Sequence, residues 1–477
     1  MSNFIGREQE LMVLKELSLK KTASLVVIKG RRRIGKSRLL EEFAKSFKHA
    51  YTFAGIAPTE KTTQQSQHQE FVRQLVRQFK VAPEMQDDWG DLFWELSKQT
   101  QQGQVLIVLD EITWMGSLDP DFLGKLKNAW DLYFKKNDRL ILVLCGSVSS
   151  WIEKNILSST GFLGRVSLAL TLKELPLADC VKFWCEEKDR VSAYEKLKVL
   201  SVTGGVPRYL EAIDPKLSAE TNIQQLCYTS YGILFNEFEK IFSDLFSKRS
   251  TLYKSIVECL ADGAASQTDI LKMLKFPRGG DLSEYLDDLV KSGFISRDFT
   301  WHLKDGKLSS LSHYRLKDNY SRFYLKYILP NRQRIESGDM EHVSLVHLPR
   351  WYTMMGLQVE NLVLSNQHLI KQALKIDPGT IVSSNPFFQR KTASQKGCQI
   401  DYMIQTQYNT LYLCEIKFSK HPVGSKVIEE MREKIARLKI PKGFSYRPVL
   451  IHVNGVSEFV EEQQYFTNII DFSRFLE

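Results

Sequence analysis

An α/β fold with a parallel sheet covered on both faces is predicted for the first third of the chain, with helical and mixed α/β modules after it. Three observations carry this expectation. Near-continuous apolar runs of strand length alternate with helical segments up to residue 175. A glycine-containing turn, Gly30–Ser37, follows the first of these runs and opens a helix. Beyond residue 250 the alternation gives way to short helices, a hairpin and a further α/β stretch.

The strand-like runs are Ser24–Gly30, Tyr51–Ile56, Val105–Glu111, Leu140–Ser147 and Ser167–Leu172, with helical segments such as Ser37–Phe47 and Gln69–Phe79 between them. Residues 176–248 read as helical throughout and are expected to form a small lid, with Pro207 suited to a first helical position. Three helices at Thr251–Ala261, Gln267–Leu274 and Leu282–Ser292, then a hairpin turning at Asp305-Gly306, give residues 249–318 the outline of a winged helix. Residues 319–477 open with an aromatic-rich helix and become mixed α/β after Gly356. Four modules, 1–175, 176–248, 249–318 and 319–477, fit a length of 477 residues, for which about 150 residues per domain predicts roughly three domains.

Composition narrows the class. Apolar residues make up 43% and charged residues 25%, which excludes a disordered or collagen-like chain. The net charge of +9 is compatible with a polyanion partner but too small to demand one. No apolar run reaches the roughly 20 residues of a membrane span, and the first ten residues contain no apolar signal-peptide core. The seven cysteines include no CxxC, so neither a zinc site nor a disulfide framework is expected. A reduced, cytoplasmic setting follows as the expectation.

The strongest motif is GRRRIGKS, formed by Gly30, Arg31, Arg32, Arg33, Ile34, Gly35, Lys36 and Ser37. It satisfies G-x-x-x-x-G-K-[ST] between a strand and a helix. Backbone N–H groups of such a loop, with the helix N-terminus, favour a polyphosphate. Lys36 is expected to reach the β- and γ-phosphates, and Ser37 to hold Mg²⁺. An acidic pair ends the run VLIVLDE: Asp110 would complete the Mg²⁺ site and Glu111 would orient and polarise the attacking water. Ser147, at the end of a later strand, is a candidate γ-phosphate sensor, and a plain strand-end serine is the alternative. Arg165 is a candidate arginine finger, with a solvated arginine as its alternative.

In order, NFIGREQEL, GRRRIGKS, VLDE, CGSVSS, GFLGR and GGVPRYL resemble the archaeal-type AAA+/STAND ATPases of archaea and bacteria. The resemblance implies an ASCE-type sheet of strand order 5-1-4-3-2 and ATP as the nucleotide. It also implies a winged helix, a C-terminal region similar to PD-(D/E)XK nucleases, and an Ile5-Gly6-Arg7 segment near the adenine.

A second acidic set lies near the C-terminus. QIDYMI and LYLCEIKFSK read as a hairpin; if its turn centres on Tyr408, Met403 faces Leu413 and Asp401 faces Glu415. Glu415 and Lys417 share a strand face. Two facing carboxylates with a lysine beside them point to a divalent cation and a phosphate, the D…E-x-K pattern of those nucleases. Glu360, on the helix upstream, matches the further acid of that family, so Glu360, Asp401 and Glu415 are the expected metal ligands. The segment Lys426–Arg447 carries seven basic residues against three acids, a surface able to track phosphates, although a solvated helix face is the plainer reading. The third helix of the winged-helix outline is instead acidic, at Asp281, Glu284, Asp287 and Asp288, so this module is expected to serve as a packing or partner surface, or to touch DNA through the wing residues Arg297, Lys304 and Lys307.

The expectation is a Mg²⁺-dependent ATPase with ATP and DNA as partners, no membrane, and nucleotide-dependent self-association. Its C-terminal module would bind or cleave DNA. The alternative is a STAND-type switch whose C-terminal half only binds a partner.

Overall fold

The computed structural model describes residues 4–59, 61–80, 88–116, 118–147, 150–246, 249–276, 282–393 and 395–477. The chain divides into two compact units, residues 1–174 and 175–477.

The first unit is built on five strands: β1 (Ser24–Gly30), β2 (His49–Ala54), β3 (Val105–Asp110), β4 (Leu140–Ser147) and β5 (Val166–Leu172). They lie in the order β2-β3-β4-β1-β5, which is the 5-1-4-3-2 order that the resemblance implies. Every pairing is parallel. All seven residues of β1 are buried, as a central strand covered on both faces requires. Its side chains alternate: Leu25 and Val27 enter one core with Ile107 and Leu109, while Val26 and Ile28 enter the other with Leu39 and Phe43. The sheet therefore brings the carboxyl ends of β1, β3 and β4 to one edge, where an open α/β sheet places its ligands.

The second unit begins with helices. Pro207 opens the helix Pro207–Leu210, and Arg208 pairs with Glu211 at 3.4 Å. Helices Ser250–Cys259, Gln267–Leu274 and Leu282–Lys291 then lead into an antiparallel hairpin, β6 (Ile295–Trp301) with β7 (Leu308–Leu316). Gly306 turns it at a φ of +71°, a conformation glycine adopts without strain. In the acidic third helix Asp287 pairs with Lys291 and Asp288 accepts from the Tyr253 hydroxyl; Asp281 lies outside the described residues.

A second sheet closes the chain, from β8 (Ile381–Gln389), β9 (Cys398–Thr406), β10 (Thr410–Phe418), β11 (Ser445–Val453) and β12 (Asn468–Asp471), in the order β12-β11-β10-β9-β8. The strands β8 to β10 pair antiparallel, and β10 to β12 parallel. The helix Lys426–Arg437 makes the crossover from β10 to β11, burying Val427 and Met431 with Ile400, Met403, Leu413 and Leu450. In the β9–β10 hairpin Leu413 faces Met403, the register centred on Tyr408.

Candidate functional site

The phosphate loop joins the end of β1 to the helix Lys36–Ala44. A side chain at Gly30 would bring a Cβ within 2.9 Å of both Ile34 Cγ2 and the Leu172 carbonyl, so only glycine lets the loop start here. Gly35 at φ +89° and Arg33 at φ +69° turn the backbone just before the helix. Lys36 is buried and donates from Nζ to the Gly30 and Arg31 carbonyls at 3.0 and 3.2 Å, across the mouth of the loop. Arg31 is also buried and pairs with Glu174 at 3.3 Å.

The acid strand meets the loop. The Ser37 hydroxyl donates to Asp110 Oδ2 at 3.0 Å, and Asp110 Oδ1 accepts from the Glu111 N–H at 2.9 Å. Glu111 sits at φ +50°, a left-handed conformation that costs a non-glycine residue free energy and recurs at functional sites. Burial pushes its carboxyl above the ordinary value, with Asp110 reinforcing the shift and Lys36 opposing it. Its carboxylate also accepts from the Ser147 N–H, which places the end of β4 at the site. Among the described residues Glu111 Oε2 is buried without a hydrogen-bond partner. Such an orphan acceptor is costly unless it meets a ligand or a water. Ser37 and Asp110 are thus adjacent, and an Mg²⁺ ion bound by one or two protein oxygens plus substrate phosphates suits that donor set.

Arg165 and Arg7 each have partners of their own. Arg165 forms a two-pronged pair with Asp131, Nε to Oδ1 at 3.0 Å and Nη2 to Oδ2 at 2.8 Å. Lys127 and Lys135 join it, and Arg165 foremost among the three holds the Asp131 carboxyl well below its usual range. Arg7 is buried at φ +66° and donates to the Ile34 carbonyl at 3.1 Å and to the Lys173 carbonyl. Its side chain braces the phosphate loop from below, a role sequence reasoning missed. The signal was an arginine following a glycine ahead of an amphipathic helix, which does not reveal a contact 27 residues away.

In the second unit the hairpin brings the second acidic set together with an addition. Asp401 Oδ2 accepts from the Ile416 N–H at 3.0 Å, fixing it beside Glu415. Lys417 lies 3.0 Å from Glu415 and 2.8 Å from Glu430. Lys434, from the crossover helix, donates to Asp401 Oδ1 at 3.2 Å and contacts Glu415 directly. Burial opposes its charge, but Asp401 and Glu415 outweigh it and hold the Lys434 ammonium above its usual value.

Glu360 is pushed up to about 7 by burial, then by Asp401, with Arg315 and Arg322 pulling the other way. Asp401 thus acts on both Glu360 and Glu415. Asp401 and Glu415 share the Lys434 ammonium, while Glu360 lies near both Asp401 and the buried Arg315 and Arg322. Among the described residues no three His, Cys, Asp or Glu side chains form a group able to hold a metal ion. No described helix is long and apolar enough to cross a membrane.

Comparison with known proteins agrees with the first site. Residues 4–213 match an ATPase domain family found predominantly in Archaea. The uncharacterized protein MJECL04 of Methanocaldococcus jannaschii is 26% identical over 343 residues, covering 72% of this chain and 73% of that protein. Among solved structures, the Walker-type ATPase paby2304 of Pyrococcus abyssi is 18% identical, with a TM-score of 0.49 over 68% of this chain and 96% of its own. The ORC2 protein of Aeropyrum pernix, in its ADPNP–ADP complexes, is 14% identical, with a TM-score of 0.42 over 71% of this chain and 97% of its own. The sheet order, the loop geometry and the match over residues 4–213 make the amino-terminal part of this chain similar to archaeal-type P-loop ATPase domains.

Proposed function

We propose that the protein is a Mg²⁺-dependent ATPase whose nucleotide state acts on a nucleic-acid-binding second unit. The observation that carries the first half is the meeting of Ser37 with Asp110 at 3.0 Å beside a buried, partnerless Glu111 oxygen. The loop residues from Gly30 to Ser37 bind the phosphates, with Lys36 leaving the Gly30 and Arg31 carbonyls to do so. Ser37 and Asp110 hold Mg²⁺, which neutralises charge on the phosphates when bound. Glu111 accepts a proton from the attacking water, and the Ser147 N–H steadies its carboxylate. Arg165 serves as a finger only where its pair with Asp131 opens.

In the second unit, residues 176–248 serve as a helical lid, 249–318 as a winged helix and 319–477 as a PD-(D/E)XK-like domain. Binding is favoured over cleavage there by one observation: the Lys434 ammonium lies between the two carboxylates that would share a cation. Steady-state ATP turnover in Mg²⁺ and in excess chelator, each with and without DNA, tests the proposal. Magnesium-dependent turnover altered by DNA is the expected result. Metal-independent turnover overturns the first half. Turnover indifferent to DNA, with ATP-driven self-association, favours the switch reading instead.

A further inference from the structure

Three stretches that are far apart in the sequence bring basic residues to one cavity of about 620 Å³ in the second unit. Lys304 comes from the β6–β7 turn, Arg390 from the end of β8, and Lys439 and Lys442 from the segment between the crossover helix and β11. All four are exposed, and among the described residues no Asp or Glu lines the cavity. Among the described residues none of the four makes an ion pair. Other cations of the same basic stretch are committed: Lys426 pairs with Glu430, Arg437 with Glu433, and Lys434 with Asp401 and Glu415.

The walls are fixed by buried and backbone contacts. Trp301 Nε1 donates to Gln405 Oε1 at 2.6 Å, and Gln405 returns a bond to the Leu303 carbonyl at 2.9 Å, which seats the hairpin turn on β9. Gln389 accepts from the Lys439 N–H at 2.8 Å and donates to the Arg437 carbonyl at 2.7 Å, which ties β8 to the end of the crossover helix. Four like charges held around one concavity repel one another and raise its potential, and an anion relieves both. The cavity is larger than a single phosphate, its cations come from three separate stretches, and the exposed His302 adds a ring at its rim, above the buried Trp301 and Phe387. A basic groove that tracks the backbone, with a ring beside it on which a base can stack, is how proteins hold a single nucleic-acid strand.

We propose that this cavity binds one strand of nucleic acid through its phosphates. The proposal rests on the nucleic-acid-binding reading of the second unit and assigns that binding a place. It is tested on the full chain by fluorescence anisotropy with labelled single-stranded DNA, single-stranded RNA and duplex DNA across 50 to 200 mM salt, a range over which phosphate contacts weaken steeply.

The wild type is expected to bind a strand more tightly than the duplex. Lys439→Gln with Lys442→Gln, and separately Lys304→Gln with Arg390→Gln, should each lower strand affinity about tenfold and reduce the salt slope by about 1.4, at roughly 0.7 per lost phosphate contact. The exposed Arg190→Gln, outside the cavity, should change neither. Loss of either the DNA or the RNA strand through these pairs supports the proposal and names the sugar. Strand binding unchanged in both pairs overturns the cavity while leaving nucleic-acid binding in place. No binding by the wild type overturns both, and duplex binding equal to strand binding overturns the single-strand assignment. All four positions are exposed, so unchanged circular dichroism keeps the comparison free of folding effects.

Discussion

The Ser37 hydroxyl and Asp110 Oδ2 lie 3.0 Å apart although 73 positions separate them in the chain. The parallel sheet alone brings them together, because β1 and β3 are both fixed against β4 with their carboxyl ends on the same edge. In the free protein this bond satisfies two groups that would otherwise both turn to a cation. Asp110→Asn should leave the loop folded, since an amide still accepts from Ser37, but should weaken ATP binding specifically in Mg²⁺. Calorimetry of ATP binding with metal and with chelator checks this; an equal effect under both conditions would count against a shared metal site.

Lys36 holds two loop carbonyls through a single ammonium. Lys36→Ala therefore removes the phosphate-binding cation and also leaves the Gly30 and Arg31 carbonyls without that donor. Nucleotide binding should fall below detection in the same calorimetric titration, with a modest loss of thermal stability of about 1 kcal/mol per unmade hydrogen bond. Retained binding would remove Lys36 from the phosphate site.

Glu111 carries a raised carboxyl and an orphan oxygen. As a base it must be ionised, so turnover should fall on the acid side at a pH above the ordinary glutamate value of 4.5. The sign for stability is the reverse of the usual carboxylate. The fold favours the neutral form, so its contribution is complete below the unfolded value and is lost as pH rises through the folded one. Glu111→Gln should keep nucleotide binding, slow turnover by roughly 10²–10⁴-fold, and raise the melting temperature at neutral pH. Turnover at the wild-type rate would refute the base assignment.

What could be read from the residues follows range of interaction. β1 and β4 begin and end where their apolar runs do, at Ser24–Gly30 and Leu140–Ser147, because buried central strands show themselves as uninterrupted apolar sequence. The β9–β10 register was readable because a short turn fixes it, and Leu413 faces Met403 as the centre at Tyr408 requires. Strand β2, read as Tyr51–Ile56, runs over His49–Ala54; at the sheet edge its half-exposed pattern blurs the boundary. The left-handed turn at Glu111, the Arg7 brace and the Asp131 partner of Arg165 were not readable, since each depends on long-range packing. Lys434 was invisible for the same reason: on its helix it looks like one more solvated cation.

Lys434 spans Asp401 and Glu415, and Glu415 is almost wholly buried. Lys434→Met would leave two carboxylates facing each other without that charge. Removing one partner of a buried ion pair typically costs roughly 3 kcal/mol or more, so the melting temperature should drop by several degrees. If a divalent cation can take the vacated position, millimolar Mn²⁺ should restore much of that loss in the variant and shift the wild type far less. Differential scanning calorimetry reads both effects. Equal shifts in the two proteins would show that Lys434 and a cation do not compete.

Glu360 provides the clearest pH test. Its carboxyl is pushed up to about 7 by burial and by Asp401, against the pull of Arg315 and Arg322. Arg322 is itself fully buried, bonded to Gln358 at 2.8 Å and to the Leu316 carbonyl at 2.6 Å, so the neighbourhood cannot relax by exposing its charges. Because the folded value lies above the ordinary 4.5, the protein gains most from Glu360 at low pH, and that gain disappears as pH rises through about 7. Glu360→Gln keeps the shape without the ionisation. The wild type should therefore lose stability relative to the variant between pH 5 and 8, by at most about 3 kcal/mol at 1.36 kcal/mol per unit. Calorimetric melting of both proteins across that range gives the difference directly. Parallel profiles would mean that Glu360 stays ionised, with Arg315 and Arg322 rather than burial and Asp401 controlling its charge.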